Sequence, residues 1–302
     1  MAKILVIGSI NMDLVVRVPH APAPGETVLG GDFTTFPGGK GANQAVAAAR
    51  MGGEVTMVGR VGNDDFGNTL IHGLLENKVK PTRVTKDASA PSGIAMIAVA
   101  ADGENMIVVA SGANMNVSVE DINKARELMR EADLVLLQLE TPVKVVSAAV
   151  EMAKTYDVTV VLNPAPAQHL AESLLAKIDV ITPNENELAV LSGEANMEDG
   201  IQRLRDWGVK NMVITLGANG ARVVTEEIDQ HLPAYDVTAV DTTAAGDAFN
   251  GALAVALAEG KTLLDAVKDG MAAGALAATK HGAQPSLPTR DMVIEFLAAN
   301  AG

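Results

Sequence analysis

A short run of small residues followed by an acid carries the clearest chemical signal in this sequence. Residues 239–251 read AVDTTAAGDAFNG, a segment that turns from a β-like start into a helical pattern. Ala244, Ala245 and Gly246, called the anion turn below, fall at a helix amino end, where free N–H groups and the helix dipole attract an anion. Asp247 is consistent with a purely structural role, since acidic residues in the first turn stabilise a helix through its dipole. The sharper hypothesis is phosphoryl transfer, in which Asp247 accepts the proton of an attacking hydroxyl.

The elements that must position this segment alternate between β and α patterns. Continuous apolar runs predict strands at residues 4–7, 55–58, 134–138, 158–162, 180–182 and 212–215. Helical patterns predict helices at residues 43–50, 143–156, 185–191, 198–207, 247–259, 263–279 and 290–299. Apolar strands joined by helical crossovers indicate an α/β fold with a buried, mostly parallel sheet and helices on both faces.

Alternating polar and apolar residues interrupt that pattern at 13–18, 26–35, 94–99 and 105–109. The last two segments flank Asp102-Gly103, a hairpin signal. Alternation indicates one buried and one solvated face, so these strands predict a small separate sheet, inserted at about 13–35 and 94–110. A sheet hinged on a rigid body could close over a substrate and exclude water. We therefore expect one domain, 1–302, that carries a β lid.

Bulk composition limits the partners and the compartment. The chain has 302 residues and a formal net charge of −14, and it shows no basic cluster, so nucleic-acid binding is not expected. The absence of cysteine excludes disulfides and thiolate chemistry and fits the cytoplasm. No apolar stretch approaches the roughly 20 residues of a spanning helix. Residues 4–7 predict a first strand rather than a signal peptide, and we expect a soluble cytoplasmic protein without a membrane partner.

Three common cofactor and metal motifs are missing. The first strand leads into Gly8-Ser9-Ile10-Asn11, which lacks the second and third glycines of a dinucleotide fingerprint and so disfavours a dehydrogenase. Gly39-Lys40 is followed by glycine rather than by Ser or Thr, so it is not a Walker A loop. The five histidines show no metal-ligand spacing.

Six segments in register resemble the ribokinase family of sugar kinases. DTTAAGD at 241–247 resembles the carboxyl-terminal signature, and GGKGANQA at 38–45 resembles the amino-terminal one. The other four resemble the first sugar-binding turn, a strand end, the Asn-x-x-Glu magnesium motif and the terminal loop: GSINMD at 8–13, NPAP at 163–166, TPNENE at 182–187 and GAQPS at 282–286. Six matches in order over the whole chain are specific, whereas each alone is weak. The resemblance implies a three-layer α/β/α fold with a β lid.

The resemblance also implies ATP-dependent phosphorylation of D-ribose at O5, with Asp247 as the base. It places sugar contacts at Asn11, Met12, Asp13, Gly39, Lys40, Gly41, Ala42, Asn43, Glu140 and Asp247. Carboxylates and amides suit the hydroxyls of a pentose, although Asn11 and Asp13 also fit a plain Asx turn. Within the family, 2-deoxyribose, another furanose or a nucleoside is the alternative acceptor. A non-catalytic sensing relative would normally lose the base.

The nucleotide and metal sites follow from the same resemblance. ATP contacts are implied at Asn184, Thr215, Leu216, Gly217, Ala218, Asn219, Gly220, Gly246, Asp247 and Met271. Oxygens that surround K⁺ are implied at Asp241, Thr243, Ala277, Lys280, Gly282 and Ser286, and Glu187 is implied to act on Mg²⁺ through water. One carboxylate among carbonyls suits K⁺ better than Mg²⁺, which demands a tight octahedron. A homodimer formed through the lid strands is a further family expectation.

Two positions depart from the commonest family pattern. Ala244 stands where the anion turn usually begins with glycine, and alanine restricts positive φ but leaves the N–H group free. Met271 stands where many relatives place His or Asn near adenine. We therefore expect Met271 to pack against the base rather than to donate a hydrogen bond to it.

Overall fold

The computed structural model describes residues 1–101 and 105–300. The chain forms a large and a small β-sheet. Their strands are, in chain order, β1 (Lys3–Ile7), β2 (Asn11–Val18), β3 (Phe33–Gly38), β4 (Glu54–Gly62), β5 (Lys80–Asp87), β6 (Gly93–Ala100), β7 (Asn105–Ala110), β8 (Leu134–Leu137), β9 (Thr159–Leu162), β10 (Val180–Ile181), β11 (Met212–Thr215), β12 (Ala221–Val224) and β13 (Asp229–Leu232).

Helices connect most strands of the large sheet. In chain order they are α1 (Lys40–Arg50), α2 (Asp65–Glu76), α3 (Val119–Lys124), α4 (Arg126–Glu131), α5 (Val143–Thr155), α6 (Glu172–Leu175), α7 (Glu185–Ser192), α8 (Met197–Asp206), α9 (Ala245–Ala258), α10 (Leu263–Ala278) and α11 (Arg290–Ala299). In the described part of the chain, none of them combines the length and the apolar character needed to cross a membrane.

The large sheet has the strand order β13-β12-β11-β10-β9-β8-β1-β4-β5. All neighbours from β5 to β11 are parallel, and β12 and β13 add an antiparallel edge. The predicted α/β fold with a mostly parallel sheet is confirmed. In parallel strands the carboxyl ends meet at one edge, which is where such sheets bind ligands.

Alternating residues of β1 fill two separate cores. Ile4 and Val6 pack with α1, α9 and α10 on one face, and Leu5 and Ile7 pack with α5 and its neighbours on the other. A strand that is buried on both faces needs a continuous apolar run, which explains why this strand was predictable from the sequence. The two cores make the fold three layers thick.

The small sheet has the order β3-β2-β6-β7. The strand predicted at 26–35 was wrong in its bounds, since the structure places it at Phe33–Gly38. Pro37 lies in this strand, and proline is tolerated there because β3 is at the edge of its sheet. Strands β6 and β7 pair antiparallel, as expected for a hairpin. The predicted turn at Asp102-Gly103 lies outside the described residues.

Candidate active site

The carboxyl ends of the parallel strands bring polar residues to one edge of the large sheet. Gln138 and Asn163 directly follow β8 and β9. Gln44, in the first turns of α1, bonds to both of them. Helix α9 packs tightly on α1, since a Cβ added to Gly251 would lie 2.5 Å from the Cβ of Ala47. The amino ends of two helices therefore meet above the sheet.

Asp247, the predicted base, is 7% exposed, and α1 holds its carboxylate from two sides. Asn43 Nδ2 donates to Oδ2 at 3.0 Å, and Gln44 Nε2 donates to Oδ1 at 3.0 Å. Burial raises the pKa of Asp247 above its ordinary value, although Lys40 and the two amides act in the opposite direction. A carboxylate with a raised pKa is a better proton acceptor, which suits a general base.

The anion turn lies at the amino end of α9, as predicted. Ala244 adopts the left-handed conformation, with φ 60° and ψ 9°. The N–H group of Ala245 donates to the carbonyl of Thr242 at 3.2 Å. Within the described residues, the N–H groups of Gly246 and Asp247 have no acceptor. The N–H group of Ala245 is thus already used in a hydrogen bond. The N–H group of Asp247, which the sequence did not suggest as an anion ligand, is available beside that of Gly246.

The space above Gly246 is open. Gly246 is exposed, and a Cβ built on it would meet no heavy atom within 4 Å. Exposed N–H groups at a helix amino end form an anion-binding position. The turn therefore presents its free donors to a space that can admit a phosphoryl group.

Lys40 lies within a cluster of four carboxylates. Desolvation lowers its pKa, but Asp247, Glu140, Glu187 and Asp13 outweigh desolvation and raise it above the ordinary value. Burial raises the pKa of Asp13 to about 7, with further contributions from Glu140 and Asp247 and an opposing one from Lys40. Lys40 thus stays charged, while Asp13 exchanges its proton near neutral pH.

Glu140 is tied to the start of α1. Its Oε2 accepts from the Lys40 N–H at 3.1 Å and from the hydroxyl of Ser9. Ser9, which the sequence did not single out, also accepts the Gly41 N–H at 3.2 Å. A Cβ on Gly41 would lie 2.6 Å from the Ser9 nitrogen, so glycine is required for this close approach.

The side-chain oxygen of Asn11 is hydrogen-bonded within the protein. Its Oδ1 accepts from Asn114 Nδ2 at 2.7 Å, and Asn114 Oδ1 accepts the Ile10 N–H at 2.9 Å. The amide nitrogen of Asn11 and the second lone pair of Oδ1 remain for a ligand. Two of the predicted sugar contacts do not present their side chains to this site: Met12 and Ala42 are 2% and 1% exposed and pack in the core.

Asn184 and Thr215, two predicted nucleotide contacts, lie side by side. They form an isolated parallel bridge between Asn184, which lies beyond the end of β10, and Thr215, the last residue of β11. Asn184 Oδ1 accepts the Glu187 N–H at 2.8 Å, and Glu187 Oε2 accepts the Asn184 N–H at 2.9 Å, which is a capping box for α7. Both side chains therefore have a local structural role. Burial raises the pKa of Glu187, with smaller opposing contributions from the Asn184 bond and Lys40.

The segment that follows Thr215 is a short turn between two strands. Gly217–Asn219 forms one 3₁₀ turn, and Leu216 and Gly220 close it through an N–H···O=C bond of 2.8 Å. Gly217, Ala218 and Asn219 are exposed. Met271 lies on α10, partly buried against the core that also contains α9. Residues 217–219 thus lie on the surface just beyond Thr215, the bridge partner of Asn184, whereas Gly220 is buried.

Asp241 links the residues just before the anion turn to the terminal loop at 282–286. Its Oδ1 accepts the Thr243 N–H and its Oδ2 accepts the Gly282 N–H, both at 2.9 Å. Desolvation raises the pKa of Asp241, but these hydrogen bonds outweigh it and hold the pKa below its ordinary value. The carbonyl of Ala277 accepts the Lys280 N–H at 3.1 Å, and Ser286 is fully buried nearby in the loop.

Carboxylates and imidazoles alone do not form a metal site in the described residues. No group of three or more His, Cys, Asp or Glu side chains is arranged to hold an ion there. An ion beside Asp241 would therefore depend on backbone carbonyls, as the family resemblance implied. An ion beside Glu187 would depend on water and on the phosphates of a nucleotide, which is usual for Mg²⁺.

Six polar residues of the site were missed by sequence reasoning. They are Ser9, Gln44, Asn114, Asn163, Thr182 and Asn250. Four of them lie inside segments that resemble the family, namely Ser9, Gln44, Asn163 and Thr182, and Asn250 is one turn after Gly246, but no local pattern distinguishes their side chains. Their partners are far away in sequence, so only the folded chain identifies them.

The fold and the site together define a class. A buried carboxylate beside free N–H groups, at the ligand-binding edge of a parallel sheet, is an arrangement for moving a phosphoryl group to a hydroxyl. Residues 1–290 match the family model described as pfkB family carbohydrate kinase. The chain belongs to this family and is a phosphotransferase that acts on a carbohydrate hydroxyl.

Three proteins illustrate the similarity. A ribokinase from Haemophilus influenzae is 42% identical over 297 residues, which cover 97% of either chain. A deoxyribokinase from Salmonella typhi is 38% identical over 98% of this chain and 99% of its own. A solved structure of a ribokinase from Arabidopsis thaliana, complexed with ribose and ATP, is 32% identical, covers 98% of this chain and 99% of its own, and has a TM-score of 0.89.

Proposed function

We propose that this chain transfers the γ-phosphoryl group of ATP to O5 of D-ribose and releases ADP and D-ribose 5-phosphate. One observation carries the proposal: the buried carboxylate of Asp247 is held by Asn43 and Gln44, at the end of a helix where the N–H groups of Gly246 and Asp247 have no acceptor among the described residues. The ribokinase relatives, one of them complexed with ribose and ATP, support the choice of acceptor.

The reaction begins with Asp247 accepting the proton of the O5 hydroxyl. O5 forms a bond to the γ-phosphorus while the bond from that phosphorus to the bridging oxygen of ADP breaks, and the proton remains on Asp247. The N–H groups of Gly246 and Asp247 receive the negative charge that develops on the equatorial oxygens. Lys40 adds a fixed positive charge beside them. Product release returns the proton to solvent.

Sugar contacts are proposed for the polar groups around Lys40. Asn43 Oδ1 is buried without a partner among the described residues, and Asp13 and Glu140 supply carboxylate oxygens. ATP contacts are proposed for the Asn184–Thr215 bridge and for residues 216–220. Met271 is proposed to pack against the adenine ring. These assignments place acceptor and donor at opposite sides of Asp247.

Two cations fit the residues that are present. Mg²⁺ would be held by the ATP phosphates and, through water, by Glu187, and it would neutralise phosphate charge in a region that is otherwise acidic. K⁺ would be held by Asp241 and by carbonyls of the 277–286 segment, with Thr243, Ala277, Lys280, Gly282 and Ser286 as its proposed neighbours. The fit rests on Asp241, which already holds Thr243 and Gly282 together.

2-Deoxyribose is the second candidate acceptor. The similarity of this chain to the deoxyribokinase from Salmonella typhi supports this candidate. The identity between the two sequences is only slightly lower than that between this chain and the ribokinases. A panel of pentoses, hexoses and nucleosides with Mg²⁺-ATP, followed by ADP release, tests the proposal. Ribose should give the highest kcat/KM, and Asp247→Asn serves as the control for background hydrolysis. Turnover of another sugar in preference to ribose contradicts it.

A homodimer formed through the small sheet completes the proposal. Ile107, Val108 and Val109 on β7 are 54%, 58% and 46% exposed, an apolar strip that a second copy of the chain would cover. Sedimentation should show a dimer that Val108→Lys dissociates, and a monomeric wild-type protein contradicts the idea. We further propose that the chain acts in the cytoplasm, where its substrate ATP is made, and that it binds neither nucleic acid nor membranes.

A further inference from the structure

Gln44 occupies the centre of a hydrogen-bond network behind Asp247. It is fully buried. Its Nε2 donates to Oδ1 of Asp247 and to Oδ1 of Asn163, both at 3.0 Å, and its Oε1 accepts from Gln138 Nε2 at 2.6 Å. Because a carboxylate can only accept, the amide nitrogen of Gln44 must face Asp247. Every polar atom of this side chain therefore has a fixed partner.

The network continues until it closes on itself. Asn163 Nδ2 donates to the carbonyl of Thr182 at 3.2 Å, and Thr182 Oγ1 donates to Asn250 Oδ1 at 2.6 Å. Asn250 Nδ2 donates to the carbonyl of Gly246 at 2.8 Å. Gly246 is joined by a peptide bond to Asp247, whose carboxylate accepts from Gln44. The chain of bonds therefore returns to Gln44. We call this closed set the Gln44 ring.

The two oxygens of Asp247 have different surroundings. Oδ1 faces the Gln44 ring, whose side chains are buried. Oδ2 faces Asn43, whose own Oδ1 is buried without a partner in the described part of the chain. Gln138 Oε1, on the Gln44 side, is also buried without a partner in the described residues, so unpartnered acceptors alone do not distinguish the two sides. Oδ1 is covered by Gln44, which is fully buried and has both polar atoms bonded, and Oδ2 is therefore the oxygen left for a ligand.

We propose that Gln44 is a positioning residue for the base. By occupying Oδ1 it directs Oδ2 towards the acceptor hydroxyl, so that Oδ2 takes the proton. Through Asn163, Thr182 and Asn250, the same ring fixes the carbonyl of Gly246 and thereby the direction of the N–H groups in the anion turn. The carboxylate that accepts the proton and the N–H groups that bind the phosphoryl group are thus held in one rigid unit. The inference rests on the proposed function and specifies how its base is oriented.

Gln138 provides a matched control. It is as buried as Gln44, and it bonds to Gln44 but has no bond to Asp247. Gln44→Met and Gln138→Met each replace a buried amide by an apolar side chain of similar length. The charged groups that act on Asp247 are the same in both variants: Lys40, Glu140, Asp13 and Glu187.

We expect Gln44→Met to lower kcat for ribose roughly 10- to 100-fold, because a small misplacement of a catalytic group costs about that much. The KM for ribose should change less than about threefold. The acid limb of the kcat–pH profile should move to higher pH, since the lost amide favoured the charged carboxylate. Gln138→Met should leave the acid limb where it is in the wild-type enzyme.

The inference is overturned if the acid limb stays in place in Gln44→Met, or if it moves equally in both variants. Should Gln44→Met not fold, a crystal of the wild-type protein with ribose and a non-hydrolysable ATP analogue decides. O5 beside Oδ2, with the Gln44 bond kept, supports the inference, whereas O5 beside Oδ1 overturns it. If the wild-type enzyme prefers another sugar, the proposed function fails, and the two variants compared on that sugar still decide the role of Gln44.

Discussion

Asn43 Nδ2 lies 3.0 Å from Oδ2 of Asp247, while Asn43 Oδ1 is buried without a partner in the described residues. A buried acceptor left without a donor is destabilising, by about 1–3 kcal/mol. The free protein therefore carries an unfavourable interaction that a sugar hydroxyl would relieve. The amide of Asn43 thus contacts the base and also indicates where the sugar hydroxyl binds.

Replacing the base tests the central assignment. Asp247→Asn keeps the shape of the side chain but cannot accept the proton of O5, so kcat should fall by roughly 10² or more. Binding of ATP should change little, because the N–H groups of the anion turn are unaffected. Steady-state kinetics and calorimetric titration with ATP measure the two effects. A folded variant with near-normal turnover would show that Asp247 is not the base.

Removing one hydroxyl from the substrate tests the sugar contacts. We expect ribose to exceed 2-deoxyribose by at least about tenfold in kcat/KM, because an unpaired buried polar partner costs on the order of 1–3 kcal/mol. Initial rates of ADP release at subsaturating sugar give the ratio directly. Asn43→Ala should lower the ratio of kcat/KM for ribose to that for 2-deoxyribose if the Asn43 amide contacts the missing hydroxyl. Equal use of both sugars contradicts the assignment.

The stability of the ligand-free protein should depend on Asp13. Its pKa is raised from 3.8 to about 7, so the folded state holds this proton more tightly than the unfolded chain. Stability is therefore lost as pH rises from about 4 through 7. Each unit of pKa shift corresponds to about 1.4 kcal/mol, so Asp13→Asn should stabilise the protein by roughly 1–4 kcal/mol at pH 8.

Urea denaturation of the wild type and of Asp13→Asn at pH 5 and pH 8 makes that comparison. The gain at pH 5 should be smaller, since most Asp13 side chains are already protonated in the folded state. The same variant should bind ribose more weakly, because it lacks a carboxylate in the sugar site. An equal gain at both pH values would show that the ionisation of Asp13 is not the cause.

The backbone of Ala244 offers a stability test at the anion turn. Its φ of 60° costs an alanine about 1–2 kcal/mol, while glycine loses about 0.4–1 kcal/mol more conformational entropy on folding. Ala244→Gly should therefore stabilise the protein by about 0.5–1 kcal/mol, as measured by thermal or urea denaturation. Ala258→Gly, in the last turn of α9, is the matched control and should destabilise. Destabilisation by Ala244→Gly would contradict the backbone interpretation.

Monovalent cations should activate the enzyme through Asp241. The carboxylate aligns Thr243 and Gly282, so an ion bound there would fix the loop that precedes the anion turn. Activity in Tris buffer with Mg²⁺-ATP should rise several-fold with KCl, and less with NaCl or a bulky organic cation at matched ionic strength. Asp241→Ala should abolish the response. Full activity without any small monovalent cation contradicts the prediction.

The sequence predicted those elements whose signal is local. Strands β1, β8, β9 and β11 are buried on both faces and appear as continuous apolar runs. Strand β5 was missed because it is an edge strand whose residues, KPTRVTKD, are largely exposed and polar. Strands β12 and β13 were also missed, since four-residue antiparallel strands carry little pattern.

The candidate site divides in the same way. The anion turn and Asp247 were predictable because small residues before an acid are adjacent in sequence. Gln44 contacts Asp247 across 203 positions and Asn163 across 119, distances over which no periodicity or spacing carries information. The partial use of Ala245 by Thr242 depends on the turn geometry, which composition does not determine.

Only Gly8, Ser9 and Ile10 separate β1 of the large sheet from β2 of the small sheet. Asn11 and Asp13 are consequently carried by the small sheet, whereas Asp247 belongs to a helix layer of the large one. The proposed sugar site is therefore shared between the small sheet and α1, which contributes Lys40 and Asn43. The charge of Asp13 acts on Lys40 and Asp247, so substitutions elsewhere in β2 are the ones that can change which sugar is held without altering the transfer machinery, and a library restricted to those positions would be a direct route to kinases for new acceptors.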